Sequence, residues 1–277
     1  MSSKLAILLA TYNSEKFLVE QLESLYNQTE KDWILYIRDD GSEDSTLKII
    51  NDFKERYDNI IFIKDNFLGL GAMNSFLKLL EIVEADYYMF CDHDDVWLPN
   101  KVEISLQHLI QVQFENAGKP IIVHTDLTVV NANLEVINPS FWQMSAIKPV
   151  VLENKYYIQV FNCVTGCTMI FNSKVKNLAF PYVKEAPMHD WWITLQTLKN
   201  GGVVKHIEKA TILYRQHGSN EVGARDISIN YFVKKIVGLK KTLEGHSEQI
   251  NFLKKIKGLN TFQYYYYKLI YTISRNL

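Results

Sequence analysis

Apolar positions along the first ninety residues switch between two periods. Residues 5–10 (LAILLA) form a short apolar run, Leu18, Leu22, Leu25 and Tyr26 recur at helical spacing, and DWILYIR (32–38) is again nearly continuous. That alternation predicts a βαβ unit. The chain then turns at Asp39-Asp40-Gly41-Ser42, shows a second helical face through Leu47, Ile50 and Phe53, and returns as IIFIK (60–64). The cycle repeats with a helix over about 71–85 (Phe76, Leu79, Leu80, Val83) and a strand DYYMFC (86–91). Apolar strands separated by amphipathic helices belong to a mostly parallel sheet covered on both faces. In such sheets ligands sit beyond the carboxyl ends of the strands. Here those ends carry Thr11-Tyr12-Asn13, Asp39-Asp40 and Asp92-His93-Asp94.

From about residue 120 the pattern changes. PIIVHTDLTVV (120–130) and LEVIN (134–138) predict shorter strands, 139–160 is weakly patterned, and CTMIF (167–171) predicts another strand. A helix is expected to start near Asp190 and a hairpin to span Lys205–Tyr214, while Pro99 is placed to open the helix after residue 97. No internal repeat or low-complexity linker interrupts the chain. After residue 228, apolar groups alternate with lysine pairs (Lys234-Lys235, Lys240-Lys241, Lys254-Lys255), which predicts two or three amphipathic helices. The expected division is a catalytic domain over 1–225 and a basic helical tail over 226–277.

Charge sharpens that division. The net charge of −1 conceals nine Lys/Arg against Asp226, Glu244 and Glu248 in residues 226–277, a net of +6, which leaves −7 for the rest. With 47% hydrophobic residues in 277, the chain can bury a substantial core. Cys91, Cys163 and Cys167 are too few, and too embedded in apolar runs, for a disulfide framework, so a reducing, cytoplasmic setting is expected. LAILLA is too short for a signal peptide, and no apolar run approaches the roughly 20 residues of a spanning helix. Membrane contact would be peripheral, and no nucleic-acid partner is expected.

The chemistry lies at the strand ends. Asp92, Asp94 and Asp95 stand within four positions, where their charges repel. Either they are a helix cap with solvated neighbours, or something positive sits among them. Carboxylates on such a loop are hard oxygen ligands suited to Mg²⁺ or Mn²⁺ that also binds a substrate phosphate. Asp39-Asp40-Gly41-Ser42 reads equally as a turn that starts a helix or as the place where a carboxylate accepts a hydrogen bond from a nucleobase imide. Asp190, followed by Trp191 and Trp192, is a helix cap beside packing aromatics or a base beside a sugar-binding wall. Arg215, His217 and Asn220 belong to an ordinary polar loop or to the site. The spacing of Cys163 and Cys167 fits a buried core role better than a metal site.

Together these stretches resemble the family 2 glycosyltransferases. ILLATYNSEKFLVEQLESLYNQTEKDWILYIRDDGSEDST is similar to the family's opening and DYYMFCDHDDVWLPNKVE to its Asp-x-Asp segment. GCTMIFN is similar to its acceptor-side strand, and HDWW with YRQHGSN resembles the later signatures of its bacterial rhamnosyltransferase-like branch. The match spans residues 5 to about 224, and five motifs in the family's order make it specific where each alone is weak. The resemblance implies a glycosyltransferase-A-like α/β fold. It places Ala10, Tyr12 and Asp40 around the uracil or thymine base, Asp92 at ribose or metal, and Asp94 with His217 at Mn²⁺ or Mg²⁺. It puts Arg215 near the nucleotide sugar, Trp191 and Trp192 at the acceptor, and makes Asp190 an already ionised catalytic base. Where many members have Ala-Arg-Asn, this chain has Ala72-Met73-Asn74, so a cation is missing there that Arg215 or His217 would replace. The implied activity is inverting transfer from a dTDP- or UDP-sugar, with dTDP-rhamnose first, to a saccharide or lipid-linked saccharide during surface polysaccharide synthesis. The basic tail would then meet an anionic membrane surface. Two other classes share some of these features. A sugar-phosphate nucleotidyltransferase would need glycines that ATYNSEKF lacks, and a catalytically silent binding module would be expected to have lost the aspartates.

Overall fold

Strand β1 (Leu5–Thr11) is buried along its whole length and sends alternate residues to opposite faces of the sheet. Ala6, Leu8 and Ala10 enter one core with Phe76, Leu80, Tyr88 and Phe90, whereas Leu5, Ile7 and Leu9 enter another with Leu18, Leu22, Phe53 and Met89. The computed structural model describes residues 4–218 and 239–275. In chain order it contains α1 (Leu18–Tyr26), β2 (Trp33–Asp39), α2 (Thr46–Arg56), β3 (Ile60–Ile63), α3 (Gly71–Ile82), β4 (Tyr87–Cys91), β5 (Val96–Trp97), α4 (Lys101–Glu115), β6 (Ile121–Val130) and β7 (Val136–Asn138). These are followed by α5 (Phe141–Met144), α6 (Pro149–Leu152), β8 (Met169–Asn172), α7 (Ser173–Ala179), α8 (His189–Lys199) and β9 (Val203–Arg215), and beyond residue 238 by α9 (Leu239–Lys255) and α10 (Thr261–Ser274).

The sheet order is β3-β2-β1-β4-β8-β6-β9-β5, with β7 on β6. Strands β1 to β4 are parallel, as the apolar runs predict. Strand β8 is antiparallel to both β4 and β6, and β9 is parallel to β6. Two consequences place the site. The register of β8, with Ile170 opposite Met89, carries the turn before it to the carboxyl end of β4. Strand β9, parallel to β6 and so to β4, ends at that same edge. Leu8 is fully buried in the core beneath, and truncating it to alanine would cost about 2–5 kcal/mol.

Three sequence expectations need correction. Residues 205–214 are no hairpin: β9 is one long strand, and the apparent break is a bulge, where Thr125 and Asp126 of β6 face Ile207 and Ala210 and two residues, Glu208 and Lys209, are looped out. Leu47 is exposed, and the buried face of α2 is Thr46, Ile50 and Phe53, the true i, i+4, i+7 set. Pro99 stands two residues ahead of α4 and does not open it; its carbonyl accepts the Thr29 N–H at 2.7 Å. The tail buries Phe252, Leu253, Leu259, Tyr264 and Tyr271 in the same core as β1 and β4. The expected boundary at 225/226, Asn220 of the polar loop, and Lys234-Lys235 fall outside the described residues. None of the described helices is long and apolar enough to cross a membrane.

Candidate active site

The loops after β1 and β2 are stapled to each other. Asn13, at a positive φ of 45°, donates its N–H to Ser42 Oγ and accepts from the Glu43 N–H on Oδ1, while the Ser14 N–H reaches Thr46 Oγ1 at 2.7 Å. The two adjacent aspartates have different tasks. Asp39 accepts from the Thr11 and Ser42 hydroxyls and from the Gly41 and Ser42 N–H groups, so it builds the turn. Asp40 is buried. Its Oδ1 accepts from Leu70 N and Arg38 Nη1, and its Oδ2 accepts from Gly71 N at 2.8 Å at the start of α3. A carboxylate oxygen has two acceptor sites, and the one bond to Gly71 N leaves Oδ2 able to accept another. Ala10 lies buried at the end of β1, and Tyr12, just beyond it, stands 56% exposed.

Arg38, which sequence reasoning missed, forms the floor. Fully buried, it pairs with Asp65 (Nε to Oδ2, 2.8 Å) and Asp40 (2.9 Å), donates to Ser75 Oγ, and closes on the Phe67 carbonyl. An arginine inside an apolar strand was the available signal, since it is tolerated there only when its donors are satisfied.

The crowded acidic loop is neutralised partly from within. Arg215, at the end of β9, is buried against it: its backbone N–H donates to Asp95 Oδ1 (3.0 Å), Nε to the Asp94 carbonyl (2.8 Å), Nη1 to the Ala132 carbonyl (2.7 Å), and Nη2 pairs with Glu20. Its guanidinium stacks 4.5 Å from the Phe17 ring centroid. Those bonds commit Arg215 to holding the loop, and direct contact with a sugar nucleotide would require breaking some of them. A second cation was also missed. Lys101 is fully buried beneath the loop, 4.5 Å over the Trp97 ring, and its Nζ has no hydrogen-bond partner. Burial lowers its pKa to about 8, while Cys167, Cys91 and Asp95 act to hold it up. Asp95 is fully buried too. Burial first, then Asp94 and Asp92, drive its carboxyl well above the usual range.

Two donor sets on this loop are candidates for a divalent ion. His217 Nε2 lies 2.8 Å from Asp94 Oδ2, with the imidazole against the Phe17 ring and Asp92 half-buried nearby. Ligand atoms of Asp92, Asp95 and Cys167 also lie within 4.8 Å of one another. In the second set the Cys167 thiol is buried and its pKa raised well above normal by burial and then Asp95. A protonated thiol is a poor partner for a hard cation. Asp94 and His217, largely buried at the sheet edge, fit Mn²⁺ better than the wholly oxygen-preferring Mg²⁺.

Asp190 reaches the same edge from the other side. It lies in the first turn of α8, 8% exposed, and is not the helix cap, a position held by Met188. Its Oδ2 accepts the Gly166 N–H (2.9 Å) and its Oδ1 the Asn162 amide (3.2 Å) and the Trp191 N–H. Gly166 precedes Cys167, whose thiol sits beside Asp92 and Asp95, so this one bond ties Asp190 to the acidic loop. Only glycine fits there, since a Cβ would lie 2.7 Å from His189 Nε2. Burial raises the Asp190 pKa to about 7 against the lowering effect of its N–H donors. The expectation of an ordinary, fully ionised carboxyl is therefore corrected.

The two tryptophans separate, as neighbours about 100° apart on a helix must. Trp191 is partly buried and donates its indole N–H to the Ile158 carbonyl. Trp192 is 4% exposed, gives its indole N–H to the Ala179 carbonyl at 2.8 Å, and meets Phe252 edge-on. It belongs to the core and is withdrawn as an acceptor contact. His189 is buried between Phe76 and Phe90 with neither ring nitrogen bonded, and burial lowers its pKa to about 3.

Residues 6–178 match the family model described as Glycosyl transferase family 2. Among curated proteins the chain is 29% identical over 233 residues to the dTDP-rhamnosyl transferase RfbG of Shigella flexneri, covering 78% of this chain and 74% of that protein. It is 28% identical over 249 residues to an Escherichia coli protein, UDP-Glc:alpha-D-GlcNAc-diphosphoundecaprenol beta-1,3-glucosyltransferase WfaP, covering 85% and 87% respectively. Among solved structures, S. aureus TarS 1-349 in complex with UDP-GlcNAc superposes with a TM-score of 0.60 at 18% identity, over 90% of this chain and 71% of that one. The same TarS fragment without ligand is matched over 60% of its length. The likeness establishes the glycosyltransferase-A-like α/β fold.

Proposed function

The chain belongs to glycosyl transferase family 2, and we propose that it moves one sugar, with inversion, from a nucleoside diphosphate donor to a saccharide hydroxyl, with Asp190 as the base. The observation that carries this reading is the Gly166–Asp190 bond, which holds a buried carboxyl of pKa about 7 at the edge where the acidic loop lies. A general base works best when its pKa is near the operating pH, and positioned proton transfer contributes about 10²- to 10⁴-fold.

The donor's base would lie on the loops after β1 and β2, with Tyr12 over its face, Ala10 beneath it, and Asp40 Oδ2 accepting its imide N–H. Asp94 and His217, with Asp92 beside them, would hold the divalent ion, Mn²⁺ in preference to Mg²⁺. That cation would neutralise charge as it grows on the departing diphosphate. Arg215 contributes by fixing the Asp94 carbonyl and Asp95, so that loop and ligand geometry are set before the donor arrives. Asp190 takes the acceptor proton as the hydroxyl attacks, its carboxylate aimed by Gly166 and Asn162, and Trp191 offers the sugar an apolar wall. No protein nucleophile is needed.

Rhamnose from dTDP-rhamnose is the first donor to try, supported by the likeness to RfbG and by the HDWW and YRQH motifs. UDP-glucose is the second. A lipid-linked saccharide acceptor is supported by the likeness to WfaP, and it would place the protein peripherally at the cytoplasmic face of the membrane in surface polysaccharide synthesis. A panel of dTDP- and UDP-sugars incubated with Mn²⁺, Mg²⁺ or EDTA, with nucleoside diphosphate release as readout, tests the reading. Release from one donor in Mn²⁺, absent in EDTA and in Asp190→Asn, is expected. Equal release in EDTA removes the metal, and no release with any donor removes the activity.

A further inference from the structure

The final helix has two apolar faces. Tyr264 and Tyr271 of α10 are buried in the core, and Tyr267 stacks on Tyr156. On the other side Phe262 (80% exposed), Tyr265, Tyr266, Leu269, Ile270 and Ile273 all lie open. Their offsets of 3, 4, 7, 8 and 11 from Phe262 make a continuous stripe, where a surface helix would carry polar side chains. A contiguous apolar patch of this kind marks an interaction surface.

Charge identifies the partner. Residues 249–277 contain no Asp or Glu, but they hold Lys254, Lys255, Lys257, Lys268 and Arg275. The stripe itself is uncharged. Lys254, Lys255 and Lys257 cluster at the turn before it, Lys255 also pairing with Glu185, and Arg275 stands at its far end with its guanidinium on the Ser145 and Ala146 carbonyls, beside Lys148, whose ammonium binds the Ser274 carbonyl. An open apolar face with tyrosines among its aliphatics and cations at both ends is the chemistry of a helix lying in the boundary between headgroups and acyl chains.

We propose that this face of α10 docks the protein on an anionic bilayer, with Phe262, Leu269, Ile270 and Ile273 at the acyl boundary and the tyrosine hydroxyls among the headgroups. The surface lies on the acceptor side of the molecule. The inner face of α10 packs on Tyr156, Tyr157 and Phe161, and the adjoining Ile158 carbonyl holds the indole of Trp191, the neighbour of Asp190. Docking would therefore present the acceptor cleft to a saccharide carried on a membrane lipid. The inference rests on the lipid-linked acceptor reading above.

The test is sedimentation of the full chain with phosphatidylglycerol/phosphatidylethanolamine vesicles and with phosphatidylcholine vesicles, at low and high salt. The parent is compared with a Leu269→Ser, Ile273→Ser variant, both positions being open to solvent. Hydrolysis of dTDP- and UDP-sugars in Mn²⁺ and oligomeric state by analytical ultracentrifugation are read on the same samples. The parent should cosediment with anionic vesicles and lose about tenfold or more of that partitioning in the variant, with hydrolysis unchanged. A parent that stays in the supernatant, binds neutral vesicles equally well, or binds unaffected by the substitutions overturns the proposal. So does a parent dimer that the substitutions dissociate, which would assign the stripe to a second copy. Vesicle binding without any sugar chemistry supports the surface and removes the transferase reading instead.

Discussion

Two groups of carboxylates share one edge of the sheet and are treated in opposite ways. The loop at Asp92, Asp94 and Asp95 is crowded with carboxylates and flanked by the Arg215 guanidinium and the buried Lys101 side chain, with the His217 imidazole 2.8 Å from Asp94. Among the described residues Asp190 has no cationic partner, only N–H donors from Gly166, Asn162 and Trp191 together with burial. Charge compensation keeps a carboxylate ionised, and burial lets one take a proton. Asp95 belongs to both descriptions, since burial drives its carboxyl up as it does that of Asp190; on the proposed reading the loop holds a cation and Asp190 holds and releases a proton. The predictions below try to break that contrast, starting where the effect should be largest.

Replacing Asp190 with Asn preserves shape and the N–H contacts to one oxygen but removes the proton acceptor. Turnover should fall by at least ~100-fold with UDP or dTDP affinity nearly unchanged. A variant that keeps more than a tenth of the rate would remove Asp190 from the mechanism. Asp94→Ala should do the reverse: nucleotide affinity in Mn²⁺ should drop by about 10- to 100-fold to the value seen in EDTA, because His217 alone is a weak site. If calorimetry shows the same Mn²⁺-dependent gain in the variant, the cation lies elsewhere.

Gly166→Ala tests what joins the two regions. A Cβ there meets His189 Nε2 at 2.7 Å, so the turn must shift and take its N–H away from Asp190. A stability loss of about 1–3 kcal/mol and a rate loss of about tenfold or more are expected, with Mn²⁺ affinity nearly retained. Thermal unfolding and kcat read on one preparation separate these effects, and an unchanged kcat would show that the bond does not position the base.

The pH dependence follows from the raised pKa of Asp190. The base must be ionised, so kcat/KM should rise about tenfold per pH unit below about 7 and level off above it, a limb absent from Asp190→Asn. Stability runs the other way. The folded pKa of about 7 lies above the unfolded 3.8, so the native state binds more protons between them. The contribution of the buried neutral carboxyl is fully present below pH 4 and is lost as pH rises through 7. Chemical denaturation of parent and Asp190→Asn across that window checks the sign: the parent should lose stability relative to the variant as pH increases.

The carboxyl edge of β1, β2 and β4 was legible because its polar residues are consecutive at strand ends, and those strands follow from apolar periodicity. Tyr12, Asp40 and the acidic loop could be found that way. The environment of Asp190 could not, since Asn162 and Gly166 lie more than twenty residues before it and join it only once β8 has paired with β4. The cations escaped for a related reason. Arg38 and Lys101 are buried charges, which local pattern assigns to the surface, and only the tertiary fold shows what they neutralise. The two tryptophans show the limit of adjacency, because the helix leaves one partly buried on the Ile158 carbonyl and sends the other into the core.

The smallest effect tests whether the acidic loop is internally balanced. Lys101→Met keeps the length of the side chain and its contact with the Trp97 ring but removes the charge that faces Asp95, Cys91 and Cys167. The Asp94–His217 pair is untouched, so kcat and Mn²⁺ affinity should change by no more than about threefold, while stability falls by about 1–3 kcal/mol because the attraction between Lys101 and Asp95 is lost. Asp95→Asn alone should cost a similar amount, since it leaves the buried ammonium of Lys101 alone while keeping an oxygen for the Arg215 N–H. Combined, the two changes remove both charges together. If Lys101 balances Asp95, the double variant should be more stable than the sum of the single losses by at least about 1 kcal/mol. Strict additivity in a denaturation cycle would mean that Lys101 is held for packing against Trp97 alone, and that the positive charge among the aspartates comes from Arg215 and the bound cation.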